Sequence, residues 1–115
     1  MTLDEYQTQA MTTELMQRSQ NPRASEPAFI AKILGLVGEA GEVAEKIKKI
    51  VRDKEGVIND EDKLELQKEL GDVLWYIAAL SDYLGLRLDD VGAQNLSKLA
   101  SRKNRGELHG KGDNR

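Results

Sequence analysis

Cysteine is absent from the 115 residues, which removes disulfide frameworks, thiolate metal sites and cysteine nucleophiles. Histidine occurs once, as His109, so a di-iron carboxylate bundle is excluded, because that site takes a Glu-x-x-His pair from each of two helices. Proline occurs twice, and the aromatic residues are one Trp, three Tyr and one Phe. With few runs of β-branched residues as well, strands have little to form from. No apolar run approaches the roughly 20 residues of a membrane span. The acidic start, Met1-Thr2-Leu3-Asp4-Glu5, lacks the apolar stretch of a signal peptide, so the expected location is cytoplasmic, with no membrane partner. A basic excess is missing too: 17 Lys and Arg against 20 Asp and Glu leave a net charge of −3, which argues against a nucleic-acid polymer as partner.

What is present is a set of helix formers with helical periodicity, in a length that suits a single domain, 1–115. The pattern predicts an all-α chain of four helices over about residues 3–18, 26–52, 61–84 and 89–103, with a polar tail, 104–115. Thr2 and Glu5 form a capping-box pattern before a loose stripe of Leu3, Tyr6, Ala10, Leu15 and Met16. Pro27 suits the first turn of the second helix, whose stripe is Ile33, Leu36, Ala40, Val43, Ile47 and Ile50. Asn59 or Asp60 caps the third helix, which carries Leu66, Leu70, Val73, Leu74, Ile77, Leu80 and Leu84 and stops at Gly85. The fourth directs Val91, Leu96 and Leu99 inward. Gly35, Gly38 and Gly41 interrupt the second helix at about 1 kcal/mol each, which implies that something approaches its backbone closely.

Two carboxylate pairs carry the chemistry: Glu39 with Glu42, and Glu69 with Asp72. Each is spaced i, i+3, so its two side chains share a helix face about one turn apart. In both helices the pair flanks the apolar stripe on the same side. A short connection makes these helices antiparallel neighbours. Packing stripe against stripe then brings both pairs to one flank at matching height, half-buried beside the core. Four converging acids repel one another unless a hard cation sits among them, and Mg²⁺ both prefers such oxygens and recruits substrate phosphates. Lys46 and Lys49 continue this face, as i, i+4 and i, i+7 charge partners or as phosphate contacts, the former being favoured. Asn95, Lys98 and Arg102 share one face of the fourth helix, and Arg105, Lys111 and Arg115 follow in the tail; Lys and Arg suit phosphate oxygens. Trp75, beside Asp72, serves either to stack on a nucleotide base or to fill the core or a dimer interface.

Gly38-Glu39-Ala40-Gly41-Glu42, Glu69-Leu70-Gly71-Asp72-Val73 and the set Asn95, Lys98, Arg102 resemble the MazG-like nucleoside triphosphate pyrophosphohydrolases of the all-α pyrophosphatase superfamily. The resemblance covers about residues 25–115. It implies a four-helix protomer that assembles as a homodimer or a dimer of dimers. It implies hydrolysis of a (deoxy)nucleoside triphosphate to monophosphate and pyrophosphate by metal-activated water, with Mg²⁺ or a substituting Mn²⁺. Glu39, Glu42, Glu69 and Asp72 map onto the metal ligands, and Asn95, Lys98 and Arg102 onto the phosphate-binding helix. From the residues themselves, Glu39 is the expected catalytic base, and Arg105, Lys111, Arg115 and Trp75 are expected as further substrate contacts. Two alternatives stand beside this: a phosphoribosyl-ATP pyrophosphatase-like activity, and a non-catalytic helical dimerisation or regulatory module.

Overall fold

The computed structural model describes residues 1–16 and 21–115 and is all-helical, with no strand among them. Four helices follow in chain order: α1 (Leu3–Met11), α2 (Pro27–Lys54), α3 (Asp60–Tyr83) and α4 (Leu88–Asn104). No helix among the described residues is long and apolar enough to cross a membrane.

The helix starts follow local chemistry. Thr2 and Glu5 cap α1 reciprocally, and Asn59 and Asp62 do the same for α3. Pro27 opens α2. One expected boundary is corrected: α1 ends at Met11, well short of 18. The hydroxyls of Thr12 and Thr13 turn back onto the carbonyls of Gln9 and Ala10, at 2.6 Å each, and satisfy groups that another turn would have used. The last part of the expected helix, residues 17 and 18, lies outside the described residues.

α1 is held by Gln7 rather than by its apolar stripe. Leu3 and Leu15 are exposed, whereas Gln7 is buried. Its amide donates to Ala78 O at 3.2 Å and Leu86 O at 3.0 Å, and its carbonyl accepts from Leu88 N at 2.9 Å. One side chain thus ties α1 to the end of α3 and the start of α4. Asp4 adds a second tie, accepting from Asp89 N at 2.8 Å and from Arg87 Nε at 2.7 Å.

Contacts between α2 and α3 run in opposite numerical order. Lys54 pairs with Asp62 at 2.6 Å, Lys46 with Glu65 at 3.6 Å and with Glu69 at 3.2 Å; Gly35 meets Tyr76, and Phe29 meets the Tyr83 ring at 5.0 Å. The apolar stripes expected to pack together are only partly covered in the protomer: Ile50 is buried and lines a hollow with Asp62 and Glu65 of α3, and Leu36, Val43, Leu66, Val73, Leu74 and Leu80 are half-buried. Charged, glycine and aromatic positions join the seam beside them. Ile33, Val37 and Val51 of α2, Leu70 and Ile77 of α3 and Leu84 at its C-cap are exposed, Val37 by 65% and Leu70 by 57%. Leu96 and Leu99 of α4 are exposed as well, against the inward placement expected for them, and Leu88 and Arg102 are the buried residues of that helix. The protomer is accordingly extended. Its radius of gyration is 17.1 Å, against about 13 Å for a compact chain of this length.

Candidate metal centre

α2 and α3 bring three of the four sequence-selected acids together. Glu39, Glu69 and Asp72 each offer a carboxylate oxygen, and these atoms lie within 4.8 Å of one another. Their spacing follows from the helices: Glu69 and Asp72 stand one turn apart on α3, and Glu39 faces them from α2. Glu42 is exposed and lies outside the trio, yet its charge is felt by Glu39. Glu39 is the perturbed member. Burial pushes its carboxyl above the ordinary glutamate range, and the charges of Asp72, Glu69 and Glu42 push the same way. The donors are all hard carboxylate oxygens, the type that Mg²⁺ and Mn²⁺ take, and their mutual repulsion is what a divalent ion would relieve. The residues present therefore fit such an ion.

Lys46 stands at the edge of the trio with its ammonium shared between Glu69 and Glu65, and the carboxylates raise its pKa. Its partners lie across the seam on α3, not along α2 at the i, i+4 and i, i+7 spacing to Glu42 and Glu39 that the sequence suggested. Lys49 pairs with Glu45 at 3.9 Å on the solvent side.

Glu39 and Asp72 also line an open cavity of about 330 Å³ together with Trp75 and Tyr76. Trp75 is half-buried, with its indole N–H donating to Thr13 Oγ1 at 2.8 Å and to Ala10 O at 3.3 Å. The end of α1 thereby fixes the indole against this cavity, and Tyr76 packs edge-on against it at 5.0 Å. Tyr6 of α1 approaches the same acids. Burial raises its phenol pKa, and the charge of Asp72 adds to the rise. Nothing in the sequence linked Tyr6 to Asp72, because the two are joined only by the docking of α1 on α3.

The cations of α4 open elsewhere. Asn95 and Lys98 line a separate hollow with Val91, Gln94, Asp113 and Asn114. Arg102 is buried and bonded to the tail: it donates to Asp113 O and, at 3.0 Å, to the Asp113 carboxylate. Arg105 binds Ser101, Glu107 and Arg115 O, and Arg115 donates to the carbonyls of Glu107, Leu108 and Gly112. Both arginines thus organise the tail itself, and Lys111 is exposed. Asp113, which the sequence reading passed over, is the acid on which Lys98 and Arg102 converge.

Comparison with known proteins gives this geometry its context. The MazG nucleotide pyrophosphohydrolase domain matches residues 29–106, a segment holding all four acids and the cations of α4. The chain is 58% identical over 82 residues to the "Gene 37 protein" of Mycobacterium phage L5, an alignment covering 71% of this chain and 72% of the phage protein. No solved structure matches the chain. The domain match extends over more than half of the sequence and encloses the acidic trio, and on that ground the chain belongs to the MazG nucleotide pyrophosphohydrolase domain family.

Proposed function

We propose that the protein hydrolyses (deoxy)nucleoside triphosphates to the monophosphate and pyrophosphate, dependent on Mg²⁺ or Mn²⁺. One observation supports this reading above the others: three carboxylate oxygens from two helices lie within 4.8 Å of one another, and two of the three acids, Glu39 and Asp72, line a cavity large enough to admit part of a nucleotide. Glu39, Glu69 and Asp72 would hold the cation, with Glu42 one turn along α2 as a further ligand. A bound divalent cation supplies charge neutralisation for phosphate oxygens and lowers the pKa of water. Glu39 is the base in this scheme. Its neighbours raise its proton affinity, which suits a carboxylate that accepts a proton from the attacking water. Trp75 and Tyr76 offer the aromatic surface of the same cavity to the nucleotide. Asn95, Lys98 and Arg102 are assigned to phosphate oxygens of the substrate or of departing pyrophosphate; they border a hollow separate from the acidic trio in the protomer, so this role requires the two to meet in the working assembly.

The assembly belongs to the same proposal: two copies, or two pairs of copies, cover each other's exposed stripes on an antiparallel α2–α3 pair. Ile33, Val37, Leu70 and Ile77 leave that side of the protomer apolar and open, in a chain too extended to cover it alone.

The deciding experiment measures pyrophosphate release from the eight common NTPs and dNTPs and from phosphoribosyl-ATP, with Mg²⁺ and with EDTA. Release from at least one nucleoside triphosphate, abolished by EDTA and by Glu39→Gln or Asp72→Asn with helicity unchanged, is the expected result. Absence of release across the panel would leave the non-catalytic dimerisation reading. Release from phosphoribosyl-ATP alone would move the substrate to that class.

A further inference from the structure

The tail after α4 doubles back over the helix it leaves. Gly106 adopts φ +72°, and Glu107 N then donates to Arg102 O at 2.8 Å, which closes the turn. From there the segment is tied to itself. The Arg115 guanidinium bridges the carbonyls of Glu107, Leu108 and Gly112, while Arg105 holds Arg115 O at 2.8 Å. Gly110 lets the Arg115 stem pass: a Cβ there would lie 2.7 Å from Arg115 Cδ. The result of this clasp is the placement of Asp113, whose carboxylate meets Lys98 Nζ at 2.7 Å and the Arg102 guanidinium at 3.0 Å.

These are two of the three groups to which the preceding section gives the substrate's phosphate oxygens, and the inference rests on that reading. We propose that the tail is a built-in competitor for this anion subsite. The Asp113 carboxylate occupies the place of a phosphate oxygen on Lys98 and Arg102, and a phosphate-class ligand must displace it. The two halves of the contact differ in how readily they yield. Arg102 is 5% exposed and also donates to the Asp113 backbone carbonyl, so it anchors the tail. The Asp113 side chain is 76% exposed and Lys98 is 37% exposed, so the carboxylate contact is screened by water and exchanges easily. Gly112, at φ +83°, provides a backbone position next to Asp113 where the segment can pivot. The hollow lined by Asn95, Lys98 and Asn114 is open beside the contact, with a volume of about 480 Å³, and gives an incoming anion a route to Lys98. A phosphate or pyrophosphate oxygen brings more charge to the same donors than a carboxylate does.

The test is calorimetric titration of inorganic pyrophosphate into the full chain in EDTA, which keeps the acidic trio out of the measurement. Asp113→Asn retains the backbone anchor and the side-chain shape but removes the charge. Its affinity for pyrophosphate should rise about 3- to 10-fold over wild type, and the gain should vanish in Asp113→Asn combined with Lys98→Met. Amide resonances of Gly112 and Asn114 should shift when pyrophosphate binds the wild-type chain and stay in place in Lys98→Met. Equal or weaker binding by Asp113→Asn would overturn the competitor role, as would absence of pyrophosphate binding in every variant. Neither outcome touches the hydrolase reading, which stands or falls on EDTA-sensitive pyrophosphate release.

Discussion

The ring of Tyr76 occupies the space that a side chain at Gly35 would need. A Cβ at position 35 would lie 2.7 Å from the Tyr76 hydroxyl and closer still to two ring carbons. Gly38 and Gly41, one and two turns further on, meet nothing within 4 Å in the protomer. Close approach between α2 and α3 is therefore concentrated at one glycine, one turn before Glu39. Gly35→Ala should destabilise the fold by about 1–3 kcal/mol through overpacking, and should reduce turnover by moving α2 away from the acids of α3. Gly38→Ala should hold or raise the melting temperature, because the gain in helix propensity is up to about 1 kcal/mol. Urea unfolding of the two variants distinguishes them: equal stabilities would mean that the Tyr76 ring does not fix the interhelical spacing.

Lys46 balances the acidic trio from one side, through Glu69 at 3.2 Å and Glu65 at 3.6 Å. A cation held by Glu69 competes with that ammonium for the same carboxylate. Lys46→Met should lower the melting temperature of the EDTA-treated protein, because like charges are then left facing one another across the seam. The rise on adding Mg²⁺ should be larger in the variant than in wild type, since the ion would restore the lost balance and meet no competing ammonium. Thermal melts with EDTA and with Mg²⁺ check both signs, and an identical Mg²⁺ response in the two proteins would refute the competition.

Acid should loosen α1 before it unfolds the longer helices. The Asp4 carboxyl is held below the ordinary aspartate range, first by the Asp89 N–H and then, against the opposing effect of burial, by Arg87. A lowered folded pKa contributes stability that is present above the unfolded value and lost as pH falls through the folded value. Glu39 has the opposite sign: its raised pKa gives stability that is present at low pH and lost as pH rises through the folded value. Asp4→Asn should therefore flatten the acid limb of stability against pH. Protection factors of the α1 amides, which correct for the intrinsic pH dependence of exchange, should fall and become independent of pH in that range. Trp75 fluorescence reports the same event, because its N–H is bonded to the end of α1. An unchanged acid limb in Asp4→Asn would remove this carboxylate as the pin.

Much of this was legible in the residues, and what was not has a common cause. The four helices, the Thr2/Glu5 capping box and the N-cap of α3 at Asn59 or Asp60 follow from local spacing, and so does the sharing of a face by Glu69 and Asp72. The arc of α2 that meets α3 does not. An amphipathic stripe implies burial without naming the partner, and here Gly35 against Tyr76 and Lys46 against Glu69 join the seam beside the buried Ile50, while Ile33 and Leu70 stay exposed. Gln7 and Arg102 were equally hidden. A buried polar side chain is tolerated only where partners satisfy it. For Gln7 those partners lie 71 to 81 residues away, at Ala78, Leu86 and Leu88. For Arg102 the partner is Asp113, supplied by a turn at Gly106.

The exposed part of the stripes leads to the last prediction. Val37 is 65% exposed and Leu34 is also 65% exposed on the side of α2 away from Glu39, and Leu70 is 57% exposed on α3. Burying an apolar side chain of this size contributes about 1.5–3 kcal/mol relative to leaving it in water. A face of several such residues therefore favours association strongly, and a buried unpaired charge opposes it. Val37→Glu should shift the protein from dimer or tetramer to monomer in multi-angle light scattering at micromolar concentration. Lys68→Glu, a charge change at an exposed position on the opposite side of α3 from Leu70, should not. If the monomer keeps its helicity but loses hydrolysis, the catalytic cavity depends on the second copy. A wild-type chain that runs as a monomer at every concentration would show that these stripes are not covered by another copy.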